Sequence, residues 1–275
     1  MKYSKLLVVI LSITIYTAEA QTKKILFVMS AAKELPLNRG KSYPETGVFL
    51  SEFYLAYKDI IDMGYEVDFA TPNGIPSSID KESYEKKYWK KRDTLIREAT
   101  EFVKLDKKFN HPLQLSAVIA NLDQYTGMVV PGGQGLMVDL INDPAIPIIL
   151  RRFSEKGKPI GLICHAPALL LTLPKQENPF AGYKVNSVTG IEELFIENFV
   201  MKGRPKNRKI AKQLKRRGLK FKKGKPAGNF AIRDRELITS QNPFSNEAFG
   251  REFTQALKEF ESKGTLKTIG YEVKR

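Results

Sequence analysis

An α/β fold with a mostly parallel sheet covered by helices on both faces is predicted by three observations in this 275-residue chain. The run Lys24–Ser30 is almost unbroken in hydrophobicity, as a strand buried on both faces requires. Further short apolar runs alternate along the chain with segments whose apolar residues recur at three- and four-residue spacing. The run Lys158–Ile163 leads straight into a helix-like segment, Ala166–Leu173, so a strand turns sharply into a helix around Cys164.

Taken in order, the chain opens on a positive stretch, Met1–Lys5, an apolar run too short to span a bilayer comfortably, Leu6–Thr17, and the small-x-small triplet Ala18-Glu19-Ala20. This reads as a signal peptide over 1–20. The mature chain, 21–275, then begins at Gln21 and is exported, periplasmic or secreted. No cysteine stands directly after the apolar run, which argues against a lipoprotein. Residues 21–275 suit one large α/β domain with an insertion at about 75–118.

Lys24–Ser30 is the first strand. After a polar loop, Thr46 is placed to cap a helix over about Gly47–Met63. Val48, Phe49, Phe53, Ala56, Tyr57, Ile60 and Ile61 form its apolar stripe, and Glu52 falls on that stripe. A carboxyl held there is desolvated, which raises its pKa. Gly64–Ala70 is the second strand, ending in the turn Thr71–Gly74. The insertion carries helical patches at Ser83–Tyr88 and Asp93–Phe102, the single tryptophan Trp89, and His111 in a loop-like setting with no expected site role.

Thr126–Val130 is the third strand and ends in Pro131-Gly132-Gly133-Gln134-Gly135, where glycines allow close backbone approach and an exposed N–H. A helix over about Pro144–Lys156 precedes the Cys164 strand. Lys184–Thr189 reads as a further strand, followed by Glu192 and Glu193. Ala231-Ile232 and Leu237–Thr239 flank a hairpin-like turn, and Asn246–Lys263 is a final helix.

Cys164 is the only cysteine and His165 one of two histidines. A strand-to-helix turn is the geometry of a nucleophile elbow, and a helix N-terminus beneath the sulfur favours a thiolate. With one cysteine there is no intrachain disulfide, so an exported thiol left unpaired suggests a use. A Gly-Gly turn on a neighbouring strand is a candidate oxyanion donor. The net charge of +15 is concentrated in 202–225, which holds thirteen Lys or Arg and no acid, leaving the remainder nearly balanced. That segment reads as a solvated helix face that can meet an acidic surface. It holds a single aromatic, Phe221, and no recognised nucleic-acid motif, so no specific nucleic-acid binding is expected.

Four motifs, in order, resemble the DJ-1/PfpI superfamily, and within it the Hsp31-like (glyoxalase III-like) branch. They are Thr46–Glu52, Val129–Gly135, Ile163–Ala168 and Leu237–Pro243, and the resemblance spans about residues 23 to 260. It implies a flavodoxin-like sandwich, a homodimer, no cofactor and no metal. It implies Cys164 as nucleophile, Glu52 as its acidic partner, His165 beside them, and the Gly133 and His165 N–H groups as the oxyanion hole. Two departures are visible. Gln134 stands where the branch usually has His, which makes it a candidate substrate contact. The third acid expected after Thr189 is left open between Glu192 and Glu193.

The resemblance implies a cofactor-independent lyase that converts a small carbonyl substrate of the methylglyoxal type to a 2-hydroxy acid without glutathione, of the D-lactate dehydratase type. Two other readings share the residues. One is a cysteine peptidase or amidase, which needs a well-oriented imidazole. The other is a secreted holdase chaperone or thiol redox sensor, which needs an exposed, low-pKa sulfur.

Overall fold

The computed structural model describes residues 23–90 and 92–267. The expected signal peptide, 1–20, and the start of the mature chain at Gln21 lie outside those residues. The strands are β1 (Lys24–Val28), β2 (Glu66–Thr71), β3 (Leu113–Gln114), β4 (Tyr125–Val130), β5 (Ile160–Ile163), β6 (Lys184–Val185), β7 (Lys220–Phe221), β8 (Ala231–Asp234) and β9 (Leu237–Ser240). The helices are α1 (Leu50–Asp62), α2 (Asp93–Leu105), α3 (Lys107–Asn110), α4 (Leu115–Val118), α5 (Ala145–Glu155), α6 (Gly190–Phe195), α7 (Ile210–Arg216) and α8 (Asn246–Lys263).

Seven strands form one sheet in the order β3-β2-β1-β4-β5-β9-β8, parallel except for the edge strand β8, which pairs antiparallel with β9. Without the two edges the order is second, first, third, fourth, fifth. That is the flavodoxin-like arrangement, with its switch point between β1 and β4. Side chains alternate across β1 as a doubly covered strand demands. Leu26 and Val28 enter the core shared with α4, α5 and α7, whereas Ile25 and Phe27 enter the core shared with α1, α2 and α8.

Helix α1 is held down by aromatic packing. Phe53 is fully buried and meets Phe27 and Phe69 edge-on with centroids 5.8 Å away in each case. Burying one such ring stabilises by roughly 1.5–3 kcal/mol. Because Phe53 fixes the helix face, Glu52, the residue before it, is locked inside as well.

Three expectations need correction. Thr46 does not cap α1: the N-cap is Phe49, without a side-chain bond, and Thr46 Oγ1 is buried without a partner. The helix entrance is fixed by tertiary backbone bonds instead, Phe49 N–H to Gly132 O at 3.0 Å and Val48 N–H to Ser78 O at 2.8 Å. The strand expected over Lys184–Thr189 reduces to β6, which pairs with β7 in a separate two-stranded sheet. Residues beyond it are diverted: Asn186 N–H donates to Thr239 Oγ1 at 2.9 Å and Val188 N–H to Cys164 O at 3.0 Å. The segment 166–173 is not an α-helix but a 3-10 run, Ala166–Thr172.

The basic segment 202–225 supplies α7 and β7 joined by loops. Ile210 and Leu214 are buried, whereas Lys212, Lys215 and Arg216 face solvent. His111 is exposed and its Nδ1 lies 3.1 Å from Lys107 O, away from any cluster. No helix among the described residues is long and apolar enough to cross a membrane.

Candidate active site

The carboxyl ends of β1, β4 and β5 bring together Glu52, the Gly132-Gly133-Gln134 turn, Cys164 and His165. Cys164 follows β5 directly and carries φ +59, a left-handed conformation that a side chain rarely adopts. Its backbone is pinned on both sides. Its N–H donates to Ser240 O at 2.9 Å, and its carbonyl accepts from Val188 N–H at 3.0 Å and Ser187 Oγ–H at 2.7 Å. Strain of this kind persists only where neighbours over-determine it.

Glu52 is fully buried. Neither carboxyl oxygen makes a hydrogen bond of ordinary geometry, although the Cys164 thiol and the Gly132 backbone lie close enough to ease its ionisation. Burial dominates, and with a smaller push from Asp80 it raises the carboxyl to about 8. Gly132 makes the arrangement possible. A Cβ on it would stand 2.3 Å from Glu52 Oε2 and 2.7 Å from Cys164 Cβ. Gly133, at φ +112, passes so close to the start of α1 that a Cβ would sit 2.2 Å from Gly47 O. Its N–H has no acceptor among the described residues.

Burial pushes the Cys164 thiol up, and the charges of Glu52 and Glu192 add to that; the His165 backbone N–H pulls the other way. This reverses the expectation of a thiol lowered by a helix N-terminus. The reasons are physical: the turn after Cys164 is 3-10 rather than α, and Cys164 as a whole is only 5% exposed. Burial likewise lowers His165 to about 4, so the imidazole is neutral at pH 7.

His165 Nδ1 lies 3.1 Å from Cys164 Sγ, and Gln134 Nε2 lies 2.8 Å from His165 Nε2. Gln134 Nε2–H donates to the Nε2 lone pair. The single ring proton then sits on Nδ1 and points at the sulfur.

Neither expected third acid reaches the imidazole. Glu192 forms a capping box with Thr189, and its other oxygen accepts from Ala227 N–H, Gln241 and Asn242 at 2.8–3.1 Å. Glu193 accepts the Lys209 N–H. The local helix start captured one acid and the basic segment captured the other.

Three participants went unread in the sequence. Asp80, in the insertion, is held near Glu52 and raised by burial to about 6. Ser187 and Ser240 brace Cys164. Only the Gly132-Gly133 pair carried a sequence signal, and it pointed to Gly133 rather than Gly132.

Residues 47–256 match the DJ-1/PfpI family. The chain belongs to the DJ-1/PfpI family. It is similar to the protein/nucleic acid deglycase HchA of Staphylococcus aureus, 27% identical over 83% of this chain and 77% of that one. It is also similar to the HchA deglycase of an Escherichia coli strain, 24% identical over 83% and 78%. These relatives support the Hsp31-like branch. The fold is shared with the 24-kDa rapid encystment protein of Francisella tularensis, TM-score 0.72, 24% identity, over 86% of this chain and 99% of that one. It is shared also with Candida albicans glyoxalase III, TM-score 0.67, 21% identity, over 86% and 98%.

Proposed function

We propose that this DJ-1/PfpI protein is a cofactor-independent enzyme of the glyoxalase and deglycase type, with Cys164 as nucleophile toward a reactive carbonyl. The observation that carries the reading is the buried Glu52 carboxyl, free of other hydrogen-bond partners and set against Cys164 across Gly132. A buried carboxyl without bonds is costly to fold around, and such cost collects at functional sites.

With methylglyoxal the chemistry starts at the sulfur. Cys164 Sγ attacks the aldehyde carbon, and its proton passes by way of Glu52 to the new oxygen, giving a hemithioacetal. The Gly133 and His165 N–H groups hold that oxygen while it is negative. Glu52 as carboxylate removes the proton from the former aldehyde carbon, giving an enediolate. Glu52 then returns it to the adjacent carbon, and the hydroxyl proton on the sulfur-bearing carbon passes to the neighbouring alkoxide oxygen, giving the thioester of lactate. Water cleaves the thioester, releasing lactate and the thiol; the sum is methylglyoxal plus water to lactate. His165, neutral and with its proton on Nδ1, donates to the sulfur and is not the base. The names of the HchA relatives and of the Candida structure, deglycase and glyoxalase III, are consistent with this class of carbonyl substrate.

The peptidase reading loses support because no acid orients His165. The redox-sensor reading loses support because the sulfur is neither exposed nor lowered in pKa. The deciding experiment is lactate formation from methylglyoxal without glutathione. Equal rates for wild type and Cys164→Ala overturn the proposal. Export and a homodimer belong to the same proposal; they are read by N-terminal sequencing of protein recovered outside the cytoplasm, expected to begin at Gln21, and by sedimentation of the mature chain.

A further inference from the structure

Helix α6 is inside-out. Two acids face inward, Glu193 of α6 and Glu197 of the π-turn Ile196–Val200 that continues it: both are buried, the first accepting the Lys209 N–H and the second paired with Arg208. The apolar residues of α6 and of that turn face outward: Ile191, Leu194, Phe195, Phe199 and Val200 are 42–68% exposed. Ile191, Leu194 and Phe195 follow helical spacing, and the Phe195 and Phe199 rings touch with centroids 5.0 Å apart, so the patch is continuous through the π-turn Ile196–Val200. The orientation is set by the Thr189–Glu192 capping box and the Glu197–Arg208 pair rather than by fraying. Two residues after Val200 the basic segment begins. Of its thirteen cations, only Arg208 makes an ion pair among the described residues.

We infer that α6 with the 202–225 segment is a docking surface for an anionic lipid bilayer. An exposed apolar patch that runs directly into a cationic segment, whose helix α7 lies against α6, combines the two contributions that hold a protein at such an interface, apolar burial and attraction to acidic headgroups. A second copy of this chain would set one unpaired cationic run against another. A nucleic acid would make no use of the aliphatic Ile191, Leu194 and Val200, and the one aromatic of the basic run, Phe221, is packed against the core beneath Lys215 instead of offering a free stacking face.

The test is co-sedimentation of the whole mature chain with vesicles of phosphatidylcholine plus phosphatidylglycerol, against vesicles of phosphatidylcholine alone. The mixed vesicles are expected to bind the protein. Phe195→Ser with Phe199→Ser should weaken binding by about 100-fold, a factor near ten for each ring withdrawn, with an unchanged melting temperature and unchanged turnover of methylglyoxal. Lys212→Gln with Lys215→Gln and Arg216→Gln should weaken it and flatten its salt dependence. Absence of binding to the mixed vesicles overturns the inference, as does binding indifferent to the phenylalanine pair. Lipid-free self-association abolished by the phenylalanine variant, or a single-stranded oligonucleotide that competes for the same two rings, also overturns it.

Discussion

The Glu52 carboxyl and the Cys164 side chain meet across the bare α-carbon of Gly132, where any Cβ would stand 2.3 Å from Glu52 Oε2. Glycine is needed there for space, since its φ is not in the left-handed region. Gly132→Ala must push Glu52 or Cys164 aside, and both are fixed by their backbones. The expected cost is about 1–3 kcal/mol of stability. A displacement of 1 Å in a catalytic pair is expected to cost about 10²-fold in kcat/KM. Thermal melting and steady-state kinetics check both; an active Gly132→Ala would show that Glu52 need not touch the sulfur.

The pH–rate profile should rise with pH through about 8. The proposed base is the Glu52 carboxylate, and burial keeps that group protonated until pH approaches 8. His165, held near 4, stays neutral across this range and adds no limb above pH 6. Glu52→Gln should lower kcat by roughly 10²–10⁴-fold, the usual worth of a general base, and should abolish the rise. A profile that rises near pH 6.5 would instead assign the base to a histidine of ordinary pKa.

The same carboxyl should make the protein less stable as pH rises. A group whose folded pKa lies above its unfolded value stabilises below the unfolded pKa. It loses that contribution as pH climbs to the folded pKa. For Glu52 the window runs from about 4.5 to about 8. His165 acts oppositely below 6.5, and Asp59 and Asp80 complete their own losses near 6. Between pH 6.5 and 8 Glu52 therefore dominates among these groups, with a slope summing to about 2 kcal/mol. Denaturant titrations at pH 6.5 and 8 should show this loss in wild type and not in Glu52→Gln. Equal slopes in the two proteins would mean that Glu52 is ionised below neutral pH.

The parallel strands and long helices were legible because their burial is written in local pattern: β1, β4, β5, α5 and α8 stand where the apolar runs and periodic stripes put them. Glu52 was legible for the same reason, as a polar residue on an apolar stripe. What escaped was set by tertiary competition. Thr46 lost the α1 cap to backbone bonds that Phe49 and Val48 N–H donate to the Gly132 and Ser78 carbonyls. Lys184–Thr189 lost its outer half to Cys164 and Thr239. The third acid could not be chosen from spacing because both candidates were already engaged, Glu192 by Thr189, Ala227, Gln241 and Asn242, and Glu193 by Lys209. The thiol's direction was misread because a strand-to-helix turn says nothing about how deeply the sulfur is packed.

With no acid at the His165 ring, its outer nitrogen meets Gln134 instead, and the effect of that partner should be readable in the imidazole. A neutral ring carries one proton, and the nitrogen that keeps it is decided by the partner on the other side. Gln134 Nε2–H donates to His165 Nε2, which leaves the proton on Nδ1, facing Cys164 Sγ. Gln134→Glu replaces that donor with a carboxylate acceptor, which moves the proton to Nε2 and turns Nδ1 into a lone pair aimed at the sulfur. The carboxylate should also raise His165 from about 4. ¹⁵N shifts of His165 should report the Nδ1–H tautomer in wild type and the Nε2–H tautomer in Gln134→Glu. In the variant, His165 competes with Glu52 for the thiol proton, so the alkaline rise of kcat should move toward lower pH while KM changes little. Gln134→Leu removes the partner without supplying a charge; it should mix the tautomers and lower kcat by about tenfold, the effect of one modest hydrogen bond. Wild-type shifts showing the proton on Nε2 would return the base role to His165, because Nδ1 would then carry a free lone pair toward the thiol and Glu52 would no longer be the sole acceptor for its proton.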